Sequence, residues 1–109
     1  MKESELQQIL PFLEYVNKLS KFQQKKLLKQ ADAKFIKIIT NLCYNFNKGN
    51  ITNKPKYINR LKKYRKLINV ICKKNVSLKK RKDILQTGGF LPTLLGTAVP
   101  LLIELLSKK

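Results

Sequence analysis

The spacing of apolar residues predicts helices along the whole chain. From Ser4 to Leu19 leucine, isoleucine and valine recur at steps of three and four residues, and the same spacing returns from Asp32 to Asn47. Residues at this interval share one face of an α-helix, whereas no stretch alternates apolar and polar residues as a half-buried strand does. Pro11 predicts a kink or a late start in the first helix. The pattern therefore predicts an all-α fold, a small bundle of about four to five helices.

Residues suited to helix ends occur where the apolar pattern breaks. Ser20 with Gln23 resembles a capping box that opens a short second helix. Gly49 is predicted to end the third helix in a left-handed conformation. Pro55 suits the first turn of a fourth helix, and Ser77 suits the N-cap of a fifth. Local chemistry and apolar spacing thus agree on where the helices begin and end.

The fourth predicted helix, Pro55 to about Lys74, combines an apolar seam with cationic faces. A 4-3-4-3 spacing is shared by the seam residues Tyr57, Leu61, Tyr64, Ile68 and Ile71. Such a seam packs on other helices, while the remaining faces can follow a phosphate backbone without reading bases. The two tyrosines have a second interpretation, stacking on bases, but their place on the seam favours the core.

Charge is the most unusual property of the chain. It has 24 Lys and Arg against 6 Asp and Glu, a net charge of +18, and no acid between Ala33 and Lys82. Such a balance favours a polyanionic partner, either nucleic acid or an anionic membrane. The basic residues of the fourth and fifth helices are the predicted polyanion-binding set: Lys56, Arg60, Lys62, Lys63, Arg65, Lys66, Lys73, Lys74, Lys79, Lys80, Arg81 and Lys82.

The composition changes at Gly88-Gly89, which divides the chain into a basic helical body, residues 1–87, and an apolar amphipathic segment, residues 88–109. The glycine pair is predicted to form a helix C-cap and joint. The 17 residues from Phe90 to Leu106 would form a helix of about 25 Å, at the lower limit for a bilayer span. Two fates remain open, a core helix or a helix in a membrane interface, with the second slightly favoured. The predicted membrane-active residues are Phe90, Leu91, Leu94, Leu95, Val99, Leu102, Ile103 and Leu106.

The residues needed for catalysis are missing from the sequence. It has no histidine, no useful pair of carboxylates and no glycine-rich phosphate loop. The two cysteines, Cys43 and Cys72, are too few to close a zinc site alone and are expected to be reduced and buried. We therefore predict a protein that is not an enzyme and has neither a metal nor another cofactor.

Several blocks of sequence resemble the short basic proteins of Maverick/Polinton elements and their adenovirus-like relatives, the adintoviruses. The blocks are Ala31-Asp32, Ile39 to Asn50, Arg60 to Arg65, Ser77 to Lys80 and Gly88 to Pro92. Lys54 departs from the pattern, because a Ser or Thr cap is expected before Pro55. The resemblance implies a virion component that is packaged with DNA or an acidic capsid protein, made in the host nucleus or cytoplasm.

The resemblance also implies a processing site. Adenovirus-type maturation proteases cut after a Gly-Gly pair, and Gln86-Thr87-Gly88-Gly89 before Phe90 is similar to their target. By analogy with the adenovirus membrane-lytic protein, a cut between Gly89 and Phe90 would release a membrane-active peptide.

Three functions are therefore open. The leading one is a virion structural protein whose body binds DNA or the capsid and whose C-terminal helix acts on membranes. The alternative is a sequence-independent DNA-condensing core protein whose C-terminal helix belongs to its own core. The third, a host-defence peptide precursor, is disfavoured because the N-terminus, beginning Met1-Lys2-Glu3, does not resemble a secretion signal.

Overall fold

The structure, a computed structural model, describes residues 3–107, and every regular element in this range is helical. In chain order the elements are α1 (Glu3–Lys18), α2 (Lys21–Lys29), α3 (Ala33–Asn47), α4 (Pro55–Ile58), a 3₁₀ stretch (Asn59–Tyr64), α5 (Arg65–Ile71), α6 (Leu78–Gly88) and α7 (Leu91–Ser107). The predicted all-α bundle is confirmed. Its principal extents are 37 × 25 × 24 Å.

The predicted helix starts are confirmed by side-chain caps. Ser20 accepts a hydrogen bond from the backbone N–H of Gln23 at 3.1 Å, and the Gln23 side chain accepts one from the N–H of Ser20 at 3.0 Å. Asp32 and Ser77 cap α3 and α6 through their side-chain oxygens. Each cap satisfies a donor that the first helical turn leaves without a partner. Polar residues in the sequence thus fix the starts of three helices.

The predicted glycine ends are also confirmed. Gly49 and Gly89 have φ values of +77° and +66°, a region that residues with a Cβ rarely adopt. After α3 the N–H of Gly49 donates to the carbonyl of Phe46 at 3.2 Å, and the N–H of Asn50 donates to that of Asn45 at 2.9 Å. This pair of bonds is a Schellman motif, which satisfies carbonyls at the helix end.

Pro11 does not delay α1, so of the two predicted effects of this residue, a kink or a late helix start, the late start is wrong. The helix begins at Glu3 and continues through Pro11 to Lys18. Pro11 is exposed, and so is Gln7, whose carbonyl loses its helical donor, so water can replace that hydrogen bond. The buried face of α1, which includes Leu10 and Leu13, is left intact.

The predicted fourth helix is not one regular α-helix, and it ends at Ile71 rather than near Lys74. We call residues 55–71, which comprise α4, the 3₁₀ stretch and α5, the broken helix. Lys54 precedes it without a side-chain cap, and α4 has no buried residue. With neither a capped start nor burial in its first turn, little fixes this segment in regular α-helical geometry.

A single hydrophobic core unites the body with the C-terminal segment. α7 packs mainly along α1, and it also contacts α2 and the 3₁₀ stretch. Buried residues such as Leu13 and Val16 of α1 and Leu94 and Ala98 of α7 belong to the same cluster. The buried Gln24 of α2 donates from Nε2 to the carbonyl of Val16 at 2.9 Å, which ties α2 to α1. The two parts of the chain therefore share one core.

Candidate nucleic-acid interface

The broken helix presents its seam to the core and its cations to solvent. Leu61, Ile68 and Ile71 are buried, and Tyr57 and Tyr64 are half-buried against them. The seam and its 4-3-4-3 spacing are therefore confirmed as a packing surface. The basic residues between the seam positions are exposed, whereas Leu67 and Val70 are half-buried and also pack against the core.

Ten of the twelve predicted polyanion-binding residues are exposed. They are Lys56, Arg60, Lys62, Lys63, Arg65, Lys66, Lys73, Lys74, Lys79 and Lys80. Since no acidic residue occurs between Ala33 and Lys82, no side chain within this segment neutralises them. Exposed cations therefore recur along the broken helix and the start of α6 with no acidic residue between them.

Arg81 and Lys82 are half-buried and bind backbone carbonyls instead, which the sequence did not predict. Arg81 donates from Nε to the carbonyl of Ile71 at 3.0 Å and from Nη2 to that of Lys73 at 2.7 Å. Lys82 donates from Nζ to the carbonyl of Lys29 at 2.8 Å. These carbonyls lie at the C-terminal ends of α5 and α2, where a cation is also favoured by the helix dipole. Both side chains therefore have a structural role in this fold.

The two tyrosines of the seam make cation–π contacts with neighbouring basic side chains. Tyr57 has the Lys56 ammonium 5.5 Å and the Arg60 guanidinium 5.3 Å from its ring centre. Tyr64 has the Lys63 ammonium at 5.1 Å, and its ring centre lies 5.8 Å from that of the buried Phe90. The core interpretation of these tyrosines is thus supported. Their rings also fix the position of nearby positive charge.

A cleft of about 500 Å³ separates the end of α3 from the broken helix. We call it the α3 cleft. Its lining residues are Phe46, Asn47, Lys48, Gly49, Asn53, Ile58, Asn59, Leu61, Lys62, Arg65 and Ile68. Lys62 and Arg65 were predicted from the sequence, but Lys48, Asn53 and Asn59 were not. The tertiary packing of α3 on the broken helix brings them together, and no sequence spacing reports that packing.

Further exposed lysines on α2 and α3 were also missed. Lys25, Lys26 and Lys29 lie on α2, and Lys34 and Lys37 lie on α3. The helices that carry them, α2 and α3, both contact α6, which bears the exposed Lys79 and Lys80. These lysines are visible in the sequence as positive charges, but they are not as densely clustered as the basic residues of 60–66.

The predicted membrane-active residues lie mostly inside the protein. Phe90, Leu91, Leu94, Leu95, Val99 and Leu102 are buried, Leu106 is half-buried, and Ile103 is 41% exposed. Within residues 3–107 no single helix has both the length and the apolar character of a membrane span, and α6 with α7 meets that test only as a pair bent by 96°.

The glycine joint is folded tightly against the broken helix. A Cβ on Gly88 would lie 2.8 Å from Cδ1 of Leu67, and Gly89 is in the left-handed region. Phe90, immediately after the pair, is fully buried. The predicted function of the pair as a helix C-cap is confirmed. Because the residue after the Gly89–Phe90 bond is buried in the core, a protease would reach this bond only if the joint opened locally.

Both cysteines are free thiols; Cys43 is buried as predicted, but Cys72 is only half-buried, contrary to the prediction. Burial raises the pKa of Cys43 above its usual range, and the neighbouring Cys72 raises it further. Burial also raises the pKa of Cys72, with Arg81 and Lys48 acting in the opposite direction. In residues 3–107 no group of three or more Cys, Asp or Glu residues is placed to hold a metal ion.

Comparison with protein-family models, with curated proteins and with solved structures finds no match for this chain. The resemblance to Maverick/Polinton proteins remains a prediction.

Proposed function

We propose that this chain is a non-enzymatic protein that binds nucleic acid through its phosphate backbone, without reading sequence. One observation carries the proposal: ten cations of an acid-free segment are exposed while the apolar C-terminal helix is buried. Lysine and arginine side chains that neutralise phosphates release condensed counterions, and this drives binding to any sequence. The function that best fits this arrangement is the DNA-condensing protein with α7 in its own core.

The helix α6 gives this proposal a structural basis. Arg81 and Lys82 donate hydrogen bonds to backbone carbonyls at the ends of α5 and α2. The exposed Lys73, Lys79 and Lys80 lie next to these bonded residues, where the backbone is held in place. Because the backbone that carries these cations is already ordered, it loses less conformational entropy when the protein binds a polyanion. In line with the resemblance, we propose that the bound nucleic acid is the DNA packaged in a virion.

Salt dependence tests the proposal. The full chain is titrated against two fluorescent DNA duplexes of unrelated sequence at increasing NaCl, and binding is followed by anisotropy. We expect equal affinities and a log–log slope that steepens by about 0.9 for each phosphate neutralised. Replacing Lys63 and Lys66 by Gln should flatten the slope, whereas Lys18→Gln, on α1, should leave it nearly unchanged. A flat slope, or strong discrimination between the duplexes, would contradict backbone binding.

A second candidate function is action on membranes by α7. It is favoured by the exposure of Ile103 and Leu105 at the C-terminal end of an otherwise buried apolar helix. Membrane insertion would require α7 to leave α1, which exposes the core. A leakage assay with anionic vesicles separates the candidates: the full chain should release dye only under conditions that also melt its tertiary structure. Leakage at full native structure would favour contact by the last turn alone.

The proposed cleavage between Gly89 and Phe90 belongs to this second candidate. Incubation with an adenovirus-type protease, followed by intact mass, would reveal fragments of residues 1–89 and 90–109. We expect cutting only after the α6–α7 joint opens, because Phe90 is buried beside Tyr64. A chain that stays intact even when partly unfolded would rule out the processing site.

A further inference from the structure

The α3 cleft has cations from both of the elements that form it. Lys48, Lys62 and Arg65 line it, and no acidic residue is among the described residues around it. The ammonium of Lys48 lies 5.7 Å from the ring centre of Tyr44, an exposed residue that is not part of the cleft lining. Three cations in a lining without acidic residues favour an anionic group in the cleft. Phosphate is the group that lysine and arginine bind best in such a setting.

The end of α3 does not cancel this positive field. Its last carbonyls would attract cations and repel a phosphate if they were free. Three of them accept hydrogen bonds from backbone N–H groups. The N–H of Lys48 donates to the carbonyl of Tyr44 at 3.0 Å, that of Gly49 to the carbonyl of Phe46, and that of Asn50 to the carbonyl of Asn45. The helix end is therefore largely satisfied before any ligand enters.

The remaining lining residues of the cleft are mostly apolar or carry side-chain amides. Phe46 and Leu61 form buried floor, and Ile58 is 42% exposed at the edge. The side-chain amides of Asn53 and Asn59 are exposed and make no side-chain hydrogen bond within the part of the chain that the structure describes. An apolar surface beside amide donors and acceptors suits a flat heteroaromatic ring with polar edges.

The 3₁₀ stretch explains why these groups face one way. A 3₁₀ helix has 3.0 residues per turn, so side chains three apart are eclipsed, and runs beyond three or four residues are uncommon. This one covers six residues, Asn59–Tyr64. Asn59 and Lys62 therefore align, whereas in an α-helix residues three apart are offset around the axis. Arg65, the first residue of α5, lines the same cleft.

We propose that the α3 cleft binds one nucleotide unit, with the phosphate held by Lys48, Lys62 and Arg65 and the base placed on the floor beside Asn59. The inference rests on the proposed nucleic-acid binding and adds a preference to it. The volume of the α3 cleft, about 500 Å³, is within the range of small-ligand pockets. A base inside a duplex is stacked and paired, so only an unpaired nucleotide enters without the cost of leaving the stack. The full chain therefore binds single strands more tightly than the general phosphate attraction requires.

Matched double variants test this inference in the full chain. Lys62→Gln with Arg65→Gln removes two cations of the cleft, and Lys63→Gln with Lys66→Gln removes the same charge from outside it. Binding is measured at one salt concentration to a single-stranded oligonucleotide of about 20 nucleotides, long enough for several contacts, and to its blunt duplex. Circular dichroism melting of all variants checks the fold.

The cleft pair should weaken single-strand binding at least about tenfold more than the outside pair, as expected for lost hydrogen bonds to a charged group. Both pairs should weaken duplex binding equally. Equal losses on the single strand would overturn the inference while leaving the proposed function standing. An unmodified chain that binds neither nucleic acid would instead overturn the proposed function.

A competition experiment separates a nucleotide from a bare phosphate. Adenosine monophosphate and inorganic phosphate, at equal concentration and ionic strength, compete with the labelled single strand. Stronger displacement by the nucleotide supports a place for the base, and equal displacement overturns it. The variant Asn59→Asp, which places a carboxylate in the cleft, should abolish the difference between the two competitors, whereas Asn75→Asp, outside the cleft, should preserve it.

Discussion

The broken helix and α7 are two segments of 17 residues with opposite designs. α7 is a single regular helix, despite Pro100, and eight of its residues are buried. The broken helix changes from α to 3₁₀ and back, and only Leu61, Ile68 and Ile71 are buried. Burial of apolar surface holds a helix in shape, whereas a run of like charges opposes it. Between these two segments of equal length, the one with more buried residues is the regular helix.

The largest expected effect comes from the core side of this comparison. Leu95→Ala in α7 removes a fully buried side chain and should lower the free energy of unfolding by about 3 kcal/mol, through lost transfer energy and a cavity. Urea denaturation measures the loss. Lys66→Ala, on the exposed face of the broken helix, should change stability by less than about 0.5 kcal/mol. Comparable losses at both positions would show that burial does not separate the two segments.

The next largest effect concerns the fastening of the broken helix. Arg81→Met keeps much of the aliphatic stem but removes the donors to the carbonyls of Ile71 and Lys73, and should cost about 2 kcal/mol. Its neighbour Lys80 is exposed, so Lys80→Met should leave the melting temperature nearly unchanged and weaken DNA binding instead. The reverse pattern, with Arg81 important for DNA and Lys80 for stability, would contradict the roles assigned to them.

A smaller effect is expected where α7 begins. Gly89→Ala must place a Cβ on a residue with φ of +66° and should destabilise the protein by about 1 kcal/mol, measured as a lower melting temperature. No atom lies within 4 Å of the added Cβ, so backbone conformation alone would cause the loss. An unchanged melting temperature would show that the turn before α7 adapts freely.

The smallest effect should have the opposite sign. Gly96 lies inside α7 on an exposed position, and a Cβ there would meet no atom within 4 Å. Gly96→Ala should therefore raise the free energy of unfolding by about 0.5 kcal/mol, because glycine loses more backbone freedom in a helix. A destabilised variant in the same denaturation assay would indicate that the position packs against something in solution.

Features that depend on neighbouring residues in the sequence could be predicted well. The capping box at Ser20, the left-handed Gly49 and the cap at Ser77 all follow from bonds between residues three to five apart. The seam of the broken helix was also predicted, but its 3₁₀ stretch was not. Side chains at the seam spacing share a face in either type of helix, so the apolar pattern carries no information about the break.

Features that depend on distant residues were missed. Lys82 belongs to a basic run and was predicted to bind polyanions, yet its partner Lys29 is 53 residues away. Asn59 gains its proposed role only because α3 brings Lys48 opposite it. Similarly, the composition of α7 favoured a membrane interface slightly, because an all-apolar helix looks the same whether lipid or protein surrounds it. Only the position of α1 distinguishes the two.

The packing of α1 against α7 has a consequence for synthesis of the protein on the ribosome. α1 emerges early, but the helix that covers much of its apolar face is translated last among the described elements. Until Leu91–Ser107 has left the exit tunnel, the nascent chain exposes apolar surface together with nearly all its positive charge, beside ribosomal RNA. Non-local contacts of this kind also slow folding. The apolar face of α1 therefore stays partly uncovered until α7 is available to pack on it.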